Sequence, residues 1–324
     1  MRTGRERAGA AGSARLAGSP PDERAGIAFG LAAYAMWGAF PLFFPLLEPA
    51  RPVEILAHRI VWSLVAIAAV LALSRRFPAL RALLRDRRRV ALLGAAALLI
   101  ALNWGVFIYA VNSEHVIEGS LGYFINPLVS VAFGVFVFRE RLRRGQYAAL
   151  SLAACAVVVL TLDYGRLPWI ALTLALSFGT YGLVKKVADV GAAEGLAIET
   201  LILLVPALAY VAIVQAGGSG TFTHEAPGHA LLLAASGPVT AAPLLLFSAS
   251  VTRVRLSVVG MMQYLTPTLQ FLLGWAVLGE AMPASRWIGF ALVWAALVLL
   301  TLDGLEAARR TRAEAEAAVE PALV

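Results

Sequence analysis

The apolar residues of this chain are gathered into blocks of about 18–22 residues, separated by short stretches that carry most of the charge. A helix of about 20 residues is long enough to cross a hydrocarbon core of roughly 30 Å. Hydrophobic residues make up 60% of the chain and charged residues only 15%, which leaves too little polar surface for a soluble fold of 324 residues. The sequence therefore predicts a multi-pass membrane protein and excludes a soluble enzyme, a disordered chain and a fibrous chain.

Ten such blocks can be marked. They are too long, and too rich in Ala, Leu and Gly, for the roughly ten-residue alternating strands of a membrane barrel. Helices satisfy their backbone polar groups internally, as lipid requires, so we expect an all-α membrane protein with ten transmembrane helices. The expected spans are residues 26–47, 53–73, 90–110, 116–138, 146–162, 167–184, 196–214, 229–250, 256–278 and 287–302.

The basic residues divide unequally between the two sides of this arrangement. If the N-terminus is inside, 23 of the 27 Lys and Arg residues lie inside, three lie outside and Arg59 lies within a span. Because Lys and Arg concentrate in cytoplasmic loops, we expect both termini in the cytoplasm. Membrane orientation then accounts for the net charge of +7, and we expect no nucleic-acid partner.

An internal duplication is visible when the chain is shifted by 140 residues against itself. Residues 121–163 then match 261–303 without a gap, with 11 identities in 43 positions. The informative matches are Pro127 with Pro267, Gly134 with Gly274, Glu140 with Glu280, and residues 161–163 with 301–303.

Each copy holds five expected spans. An odd number reverses the orientation of the second copy, so Glu140 and Glu280 are expected at opposite membrane faces. Inverted repeats are common in secondary transporters, which bind substrate near the midplane between the repeats. The expected division is an N-terminal tail (1–25), a first five-helix repeat (26–163), a second five-helix repeat (164–303) and a C-terminal tail (304–324).

Two prolines lie near the middle of matched spans. Proline cannot donate to the carbonyl four residues earlier, so Pro127 and Pro267 are expected to kink their helices and to act as hinges. Polar residues adjoin both, and we favour their lining a central cavity over tying helix to helix. These residues are Tyr123, Asn126, Gln263, Tyr264 and Thr266.

Ionisable residues within spans are the second group of candidates, because charge at depth is costly unless it faces a cavity or a partner. Arg59 is expected to attract a negative group of the substrate, and the alternative is a fixed ion pair with Glu118 or Glu199. His58 and Glu199 are candidate proton carriers. Glu54 is better explained as a cap at the start of its helix.

Further cavity candidates are polar or aromatic residues in the first, third and fourth spans. Asn103, Trp104 and Glu118 form one polar group, although Glu118 could instead cap its own helix. Tyr34 and Trp37 could line a mobile wall, and packing explains Trp37 equally well. The sequence shows no phosphate-binding loop, no metal-ligand spacing and no nucleophile elbow, so no cofactor or metal is expected.

Several stretches resemble the RarD branch of the EamA-type transporters, within the drug/metabolite transporter superfamily, over about residues 26–303. They are EILAHRIVWS (54–63), NWGVFIYAV (103–111), EGSLGYFINPL (118–128), SFGTYGLVKK (177–186) and MMQYLTPTLQFLLG (261–274). The resemblance implies two inverted repeats, a bacterial inner membrane and small-molecule transport, often outward. Its matched positions are Glu54, His58, Arg59, Asn103, Trp104, Glu118, Tyr123, Asn126, Pro127, Glu199, Gln263, Tyr264 and Pro267.

The sequence as a whole favours a secondary transporter of a small polar or amphiphilic metabolite or drug, embedded in the lipid bilayer, with protons as a candidate coupling ion. Two other classes stay open. One is an intramembrane enzyme acting on lipid-linked substrates, with His58 or Glu118 as the base; the other is a membrane sensor that transports nothing. Neither the substrate nor the oligomeric state follows from the sequence.

Overall fold

The computed structural model describes residues 23–138, 142–251, 253–254 and 256–319, and the regular elements within them are helical, which confirms the all-α prediction. The N-terminal tail up to residue 22 and Glu140 lie outside these residues. The helices are α1 (Glu23–Gly38), α2 (Phe40–Phe43), α3 (Pro52–Leu73), α4 (Phe77–Leu84), α5 (Arg87–Asn112), α6 (Val116–Phe138), α7 (Arg144–Tyr164), α8 (Trp169–Ala188), α9 (Ala192–Ala216), α10 (Pro227–Val251), α11 (Leu256–Met262), α12 (Leu265–Leu272) and α13 (Ala284–Val319).

Eight helices within the described residues are long and apolar enough to cross a membrane, so the chain is a multi-pass membrane protein. They fall on eight of the ten expected spans and are α3, α5, α6, α7, α8, α9, α10 and α13. The other two expected spans, 26–47 and 256–278, are helical but interrupted.

The first interrupted span bends by 45° between α1 and the segment formed by α2 and a 3₁₀ turn (Phe44–Leu47). Pro41 and Pro45 cause the interruption because neither has an N–H to donate to the carbonyl four residues earlier. The carbonyl of Trp37 is therefore left without its helical partner at the bend.

The second interrupted span breaks at Gln263 and Tyr264, between α11 and α12, and ends in a π-helical turn (Leu273–Val277). Pro267 lies in the first turn of α12, where N–H groups have no partner within the helix, so proline is tolerated there. Pro127 instead lies inside the continuous helix α6. The two matched prolines therefore lie in different local structures, Pro127 inside a helix and Pro267 at a helix start.

Two elements extend beyond the expected spans. Helix α4 occupies the arginine-rich stretch after α3, which the sequence analysis left without regular structure. Helix α13 continues through the expected repeat boundary at 303 and ends at Val319. The last expected span of the second repeat therefore merges with the C-terminal tail in one long helix.

The helix contacts occur in matched pairs. The 140-residue shift exchanges α1 with α8, α3 with α9, α5 with α10, α6 with α11 and α12, and α7 with α13. Under this exchange, the contact of α5 with α8 corresponds to that of α10 with α1, and the contact of α6 with α8 to that of α12 with α1. The α3–α9 and α7–α13 contacts correspond to themselves.

Helices α7 and α13 are joined near both ends of α7 by ion pairs to two equivalent aspartates. Arg143 Nε, just before α7, lies 2.6 Å from Asp303 Oδ2 in α13. Arg286 Nε, in the first turn of α13, lies 2.9 Å from Asp163 Oδ2 near the end of α7, and Ser285 donates to the same carboxylate. Since the start of each helix meets the later part of the other, the two helices run antiparallel.

Candidate functional site

Arg59 is a buried cation surrounded by aromatic rings. It lies in α3, about 10 Å along the helix from its first residue, and is 3% exposed. The guanidinium carbon is 4.1 Å from the centre of the Trp104 ring, 5.2 Å from Phe40 and 5.6 Å from Phe44. Aromatic faces attract a cation through their quadrupole, and desolvation strengthens this attraction. We call Arg59, Phe40, Phe44 and Trp104 the arginine cage.

Only part of the hydrogen-bonding capacity of Arg59 is used. Its Nε donates to Thr240 Oγ1 at 2.8 Å, while its Nη1 is buried and has no hydrogen-bond partner among the described residues. A buried donor without a partner is costly, and a buried charge more so. The arginine cage therefore presents an unsatisfied guanidinium nitrogen suited to binding an acceptor with negative charge.

Neither carboxylate proposed as an ion-pair partner reaches Arg59. Glu118 instead binds Arg166, with 2.8 Å between Oε2 and Nη2, and Glu199 binds Lys185, with 2.7 Å between Oε1 and Nζ. Among the described residues, no carboxylate forms a salt bridge with Arg59. The alternative of a fixed ion pair between Arg59 and Glu118 or Glu199 is therefore wrong for this structure.

Glu118 stabilises the start of a neighbouring helix. Its Oε1 accepts from the backbone N–H of Ile170, in the first turn of α8, at 3.1 Å. A carboxylate is favourable there because the N–H groups at a helix N-terminus carry partial positive charge. Glu118 thus caps α8 rather than its own helix, and its hydrogen bonds raise the pKa of Arg166, which lies in the loop before α8.

Asn103 is saturated by hydrogen bonds that join three helices. Its Nδ2 donates to the Leu174 carbonyl and to Ser177 Oγ, both at 3.1 Å, and its Oδ1 accepts from the Tyr123 hydroxyl at 3.1 Å. The Tyr123 ring also packs edge-on against Phe107, at 5.5 Å between centroids. Asn103 and Tyr123 therefore tie α5, α6 and α8 together beside the arginine cage.

The loop between α9 and α10 is packed onto the start of α3. Phe222 stacks on the ring of His58, with 4.7 Å between centroids and 15° between planes. Glu54 accepts from the Thr221 backbone N–H at 2.7 Å, so it holds this loop instead of capping its own helix. His229 Nε2 lies 2.9 Å from Thr221 Oγ1. We call this contact, formed by Glu54, His58, Thr221 and Phe222, the loop plug.

Helix α12 supplies hydrogen bonds to the bent region of α1. Thr266 Oγ1 donates to the Tyr34 carbonyl at 2.7 Å, and Gln270 Nε2 donates to the Trp37 carbonyl at 3.1 Å. The Trp37 carbonyl is the one that Pro41 leaves without a helical donor. Tyr34 and Trp37 also pack on each other, with 5.5 Å between ring centroids.

The remaining candidates lie around the interruption and its counterpart in α6. Asn126, Pro127 and Gln263 are partly buried. Tyr264 packs against the core formed by α6, α7 and α13. The structure thus brings Arg59 together with Trp104, and Asn103 with Tyr123, but directs Tyr264 toward α13.

Several residues of the site were missed at the sequence level. Lys185 and Tyr181, in α8, both bind Glu199, although the sequence alone makes Lys185 one of the 23 basic residues expected on the inner side. Phe40, Phe44 and Thr240 gave no signal, because aromatic and hydroxyl residues are common in apolar helices. The one usable signal was Pro41, whose missing N–H predicts that another group must satisfy the Trp37 carbonyl.

Comparison with known proteins agrees with the family resemblance found in the sequence. The sequence pattern of the "EamA-like transporter family" matches residues 24–162 and again 167–302. A protein named "Protein RarD" from Streptomyces exfoliatus is 54% identical over 302 residues, which cover 93% of this chain and 96% of that protein. "Protein RarD" from Escherichia coli (strain K12) is 41% identical over 288 residues, covering 89% of this chain and 97% of that protein.

A solved crystal structure shares the fold. Its superposition has a TM-score of 0.56 and covers 86% of this chain and 97% of that one, at 19% sequence identity. The two stretches matched by the family pattern end at residues 162 and 302, which agrees with the 140-residue shift found in the sequence and confirms the duplication.

Proposed function

Because this chain belongs to the EamA-like transporter family, and within it resembles proteins named RarD, we propose that it is a secondary transporter of a small polar or amphiphilic metabolite or drug. It works by alternating access of two inverted five-helix halves in a bacterial inner membrane, with both termini in the cytoplasm. In this proposal the eight spanning helices and the two interrupted spans each cross the membrane once, which gives ten crossings.

The antiparallel α7–α13 pair supports the inverted arrangement. Asp163 and Asp303 are equivalent under the duplication, and each pairs with the arginine that begins the other helix. Two equivalent helices can exchange identical roles in this way when a two-fold axis lies in the membrane plane between them.

A second pair of equivalent carboxylates supports the same arrangement. Glu54 and Glu194 are 140 residues apart and lie in the first turns of α3 and α9. Glu54 binds the loop that follows α9, at Thr221, while Glu194 Oε1 lies 2.9 Å from Nε of Arg76 in the loop that follows α3. Each equivalent helix thus holds the loop at the far end of the other.

The observation that carries the transport proposal is the arginine cage. Arg59 is buried between helices of both halves, since Trp104 lies in the first and Thr240 in the second, and its Nη1 has no hydrogen-bond partner within the part of the chain that the structure describes. A substrate with a carboxylate or another negative group would satisfy this nitrogen. The same contact would then bias the relative position of α3, α5 and α10, which is how a ligand shifts a conformational equilibrium.

In the proposed orientation, the outer half of the bundle is closed in this state of the protein. Phe44 and Leu47 are fully buried in a cluster that also contains Ile55 and Phe107. Phe222 of the loop plug packs against the same cluster. Release of the substrate to the outside therefore requires Phe222 to leave His58 and the aromatic cluster to separate.

Glu199 is our candidate for coupling to protons. Its carboxylate is buried, and it accepts from Tyr181 at 3.2 Å as well as from Lys185. Protonation of Glu199 would break its ion pair with Lys185, which joins α9 to α8. His58, the other candidate, is committed to the loop plug in this state.

Transport is tested with the purified chain in proteoliposomes, after a thermal-shift screen of amino acids, nucleosides and chloramphenicol-like compounds to select a ligand. We expect flux of the selected compound. Asn126→Ala and Gln263→Ala are each expected to reduce this flux about 10-fold, because each removes a hydrogen bond to the substrate in the proposed cavity, worth about 1–1.5 kcal/mol. Leu162→Ala, on an exposed lipid-facing position, serves as the control and is expected to transport normally.

Two results would contradict this proposal. Conversion of the compound without net translocation would indicate an intramembrane enzyme. A thermal shift without flux of any compound would indicate a sensor.

The inverted topology is tested with a matched pair of cysteines in a Cys155→Ser background. Ala79 and Ser219 are 140 residues apart and both are exposed; Ala79 lies in α4, just after α3, and Ser219 lies in the loop after the equivalent helix α9. We expect a membrane-impermeant maleimide to label Ser219→Cys in intact cells, and to label Ala79→Cys only after permeabilisation. Labelling of both cysteines from the same side would exclude inverted repeats.

A further inference from the structure

Helix α4 is an amphipathic helix outside the set of spanning helices. Its Leu83 is buried against Leu93 and Ile198 at the end of the bundle. Phe77 and Leu84, at its two ends, stay 39% and 43% exposed. A short helix with one buried edge and exposed apolar ends is suited to the boundary between headgroups and acyl chains.

The segment that contains α4 has a large excess of positive charge. Of its seven arginines, Arg76 pairs with Glu194 at 2.9 Å and Arg89 with Asp86 at 3.5 Å. The other five are exposed, and no salt bridge to them occurs among the described residues. We call these five the α4 basic surface: Arg75, Arg81, Arg85, Arg87 and Arg88.

A pocket of about 380 Å³ beneath α4 does not account for these charges. Its lining includes Arg76 and Arg89, the two arginines that already have carboxylate partners, together with Asp189 and Glu194. The mixed lining is nearly balanced in charge. The five unpaired arginines lie in the same segment but do not line this pocket.

We propose that the α4 basic surface binds the headgroups of anionic phospholipids in the leaflet beside it. Anionic headgroups complement the positive charge of these arginines, which immediately follow a spanning helix. The exposed ends of α4 are apolar, which suits the acyl chains beside those headgroups. Clusters of basic residues at the end of a spanning helix attract anionic lipid through the surface potential. The inference rests on the membrane embedding of the chain and not on its transport activity.

The test is native mass spectrometry of the purified chain in detergent, titrated with phosphatidylglycerol or with phosphatidylcholine. We expect phosphatidylglycerol to bind at least about 10-fold more tightly, with binding weakened by salt. The triple variant Arg81→Gln/Arg85→Gln/Arg88→Gln is expected to bind phosphatidylglycerol at least about 10-fold more weakly, so that the preference is lost, and to bind phosphatidylcholine unchanged. Wild-type preference in this variant, or no preference in the wild type, would overturn the proposal.

Two controls identify the source of any effect. Arg309→Gln/Arg310→Gln/Arg312→Gln removes the same charge from the C-terminal tail and is expected to leave lipid binding unchanged; an equal loss would attribute the effect to net charge and contradict the proposal. Millimolar inorganic phosphate or a single-stranded RNA oligonucleotide is not expected to displace the lipid. Displacement by either would make the surface a general anion or nucleic-acid site. Because the readout is binding, its failure is distinguishable from failure of transport.

Discussion

Replacement of Arg59 by Met is expected to abolish transport while leaving the protein folded. Met matches the length of the arginine stem but offers no positive charge to the substrate. Loss of a buried charged contact costs about 3 kcal/mol, which corresponds to a decrease of about 150-fold in transport at limiting substrate. The initial rate of uptake into proteoliposomes measures this decrease.

The stability of Arg59→Met should not fall together with its transport activity. Arg59 is a buried cation with no carboxylate partner among the described residues, and removing such a charge is often neutral or stabilising. We therefore expect the melting temperature of Arg59→Met in detergent to equal or exceed that of the wild type. A structural arginine would instead give a lower melting temperature together with the loss of transport.

Two further variants sharpen the result. Arg59→Lys keeps the charge but cannot stack its guanidinium plane on Trp104 or present a fork of donors, so we expect transport to fall about 10-fold. Arg51→Gln removes an exposed arginine just before the same helix and should transport normally. Wild-type transport by Arg59→Met would remove the arginine cage from the mechanism.

Gly237→Ala is expected to destabilise the protein by about 3 kcal/mol or more, the upper range for overpacking. A methyl group at this position in α10 would lie 2.3 Å from the backbone carbonyl carbon and oxygen of Trp62 in α3. Backbone atoms cannot move aside as a flexible side chain can, so the two helices must separate. The melting temperature and the yield of monodisperse protein measure the effect.

The same substitution should also weaken the substrate site. Thr240, one turn after Gly237, receives the hydrogen bond of Arg59, so separation of α3 and α10 lengthens that contact. Gly182→Ala in α8 is the matched control, because a methyl group there meets no atom within 4 Å. Equal stability of the two variants would show that α3 and α10 do not pack at the described distance.

The spans that could be predicted from the sequence are those in which one physical requirement dominates. Eight blocks form single long helices because length and apolarity leave no other way to satisfy the backbone in lipid. The interruptions within the other two blocks could not be predicted, because hydropathy does not distinguish a broken helix from a continuous one. The outcome differs between Pro127 and Pro267, although their sequence contexts match, since only Pro267 has a helix start available beside it.

The partners of the charged residues were less predictable. The sequence shows that Arg59, Glu118 and Glu199 need compensation, and it pairs them with each other because the one other charged residue in the expected spans, Glu54, lies at the start of its helix. The structure satisfies Glu118 and Glu199 from the helix ends, through Arg166 and Lys185, whose long side chains reach inward. Arg59 is left to neutral rings, and no pattern in a single sequence indicates which rings will converge.

The doubly fastened pair α7 and α13 has a mechanical consequence. Because Arg143 and Arg286 pin the pair at opposite ends, sliding one helix along the other would break both ion pairs at once. In the proposed alternating-access cycle, the pair is therefore suited to stay fixed while the remaining helices move relative to it. Reporter groups for distance measurements are best anchored on these two helices, where they define a fixed frame for motion elsewhere in the bundle.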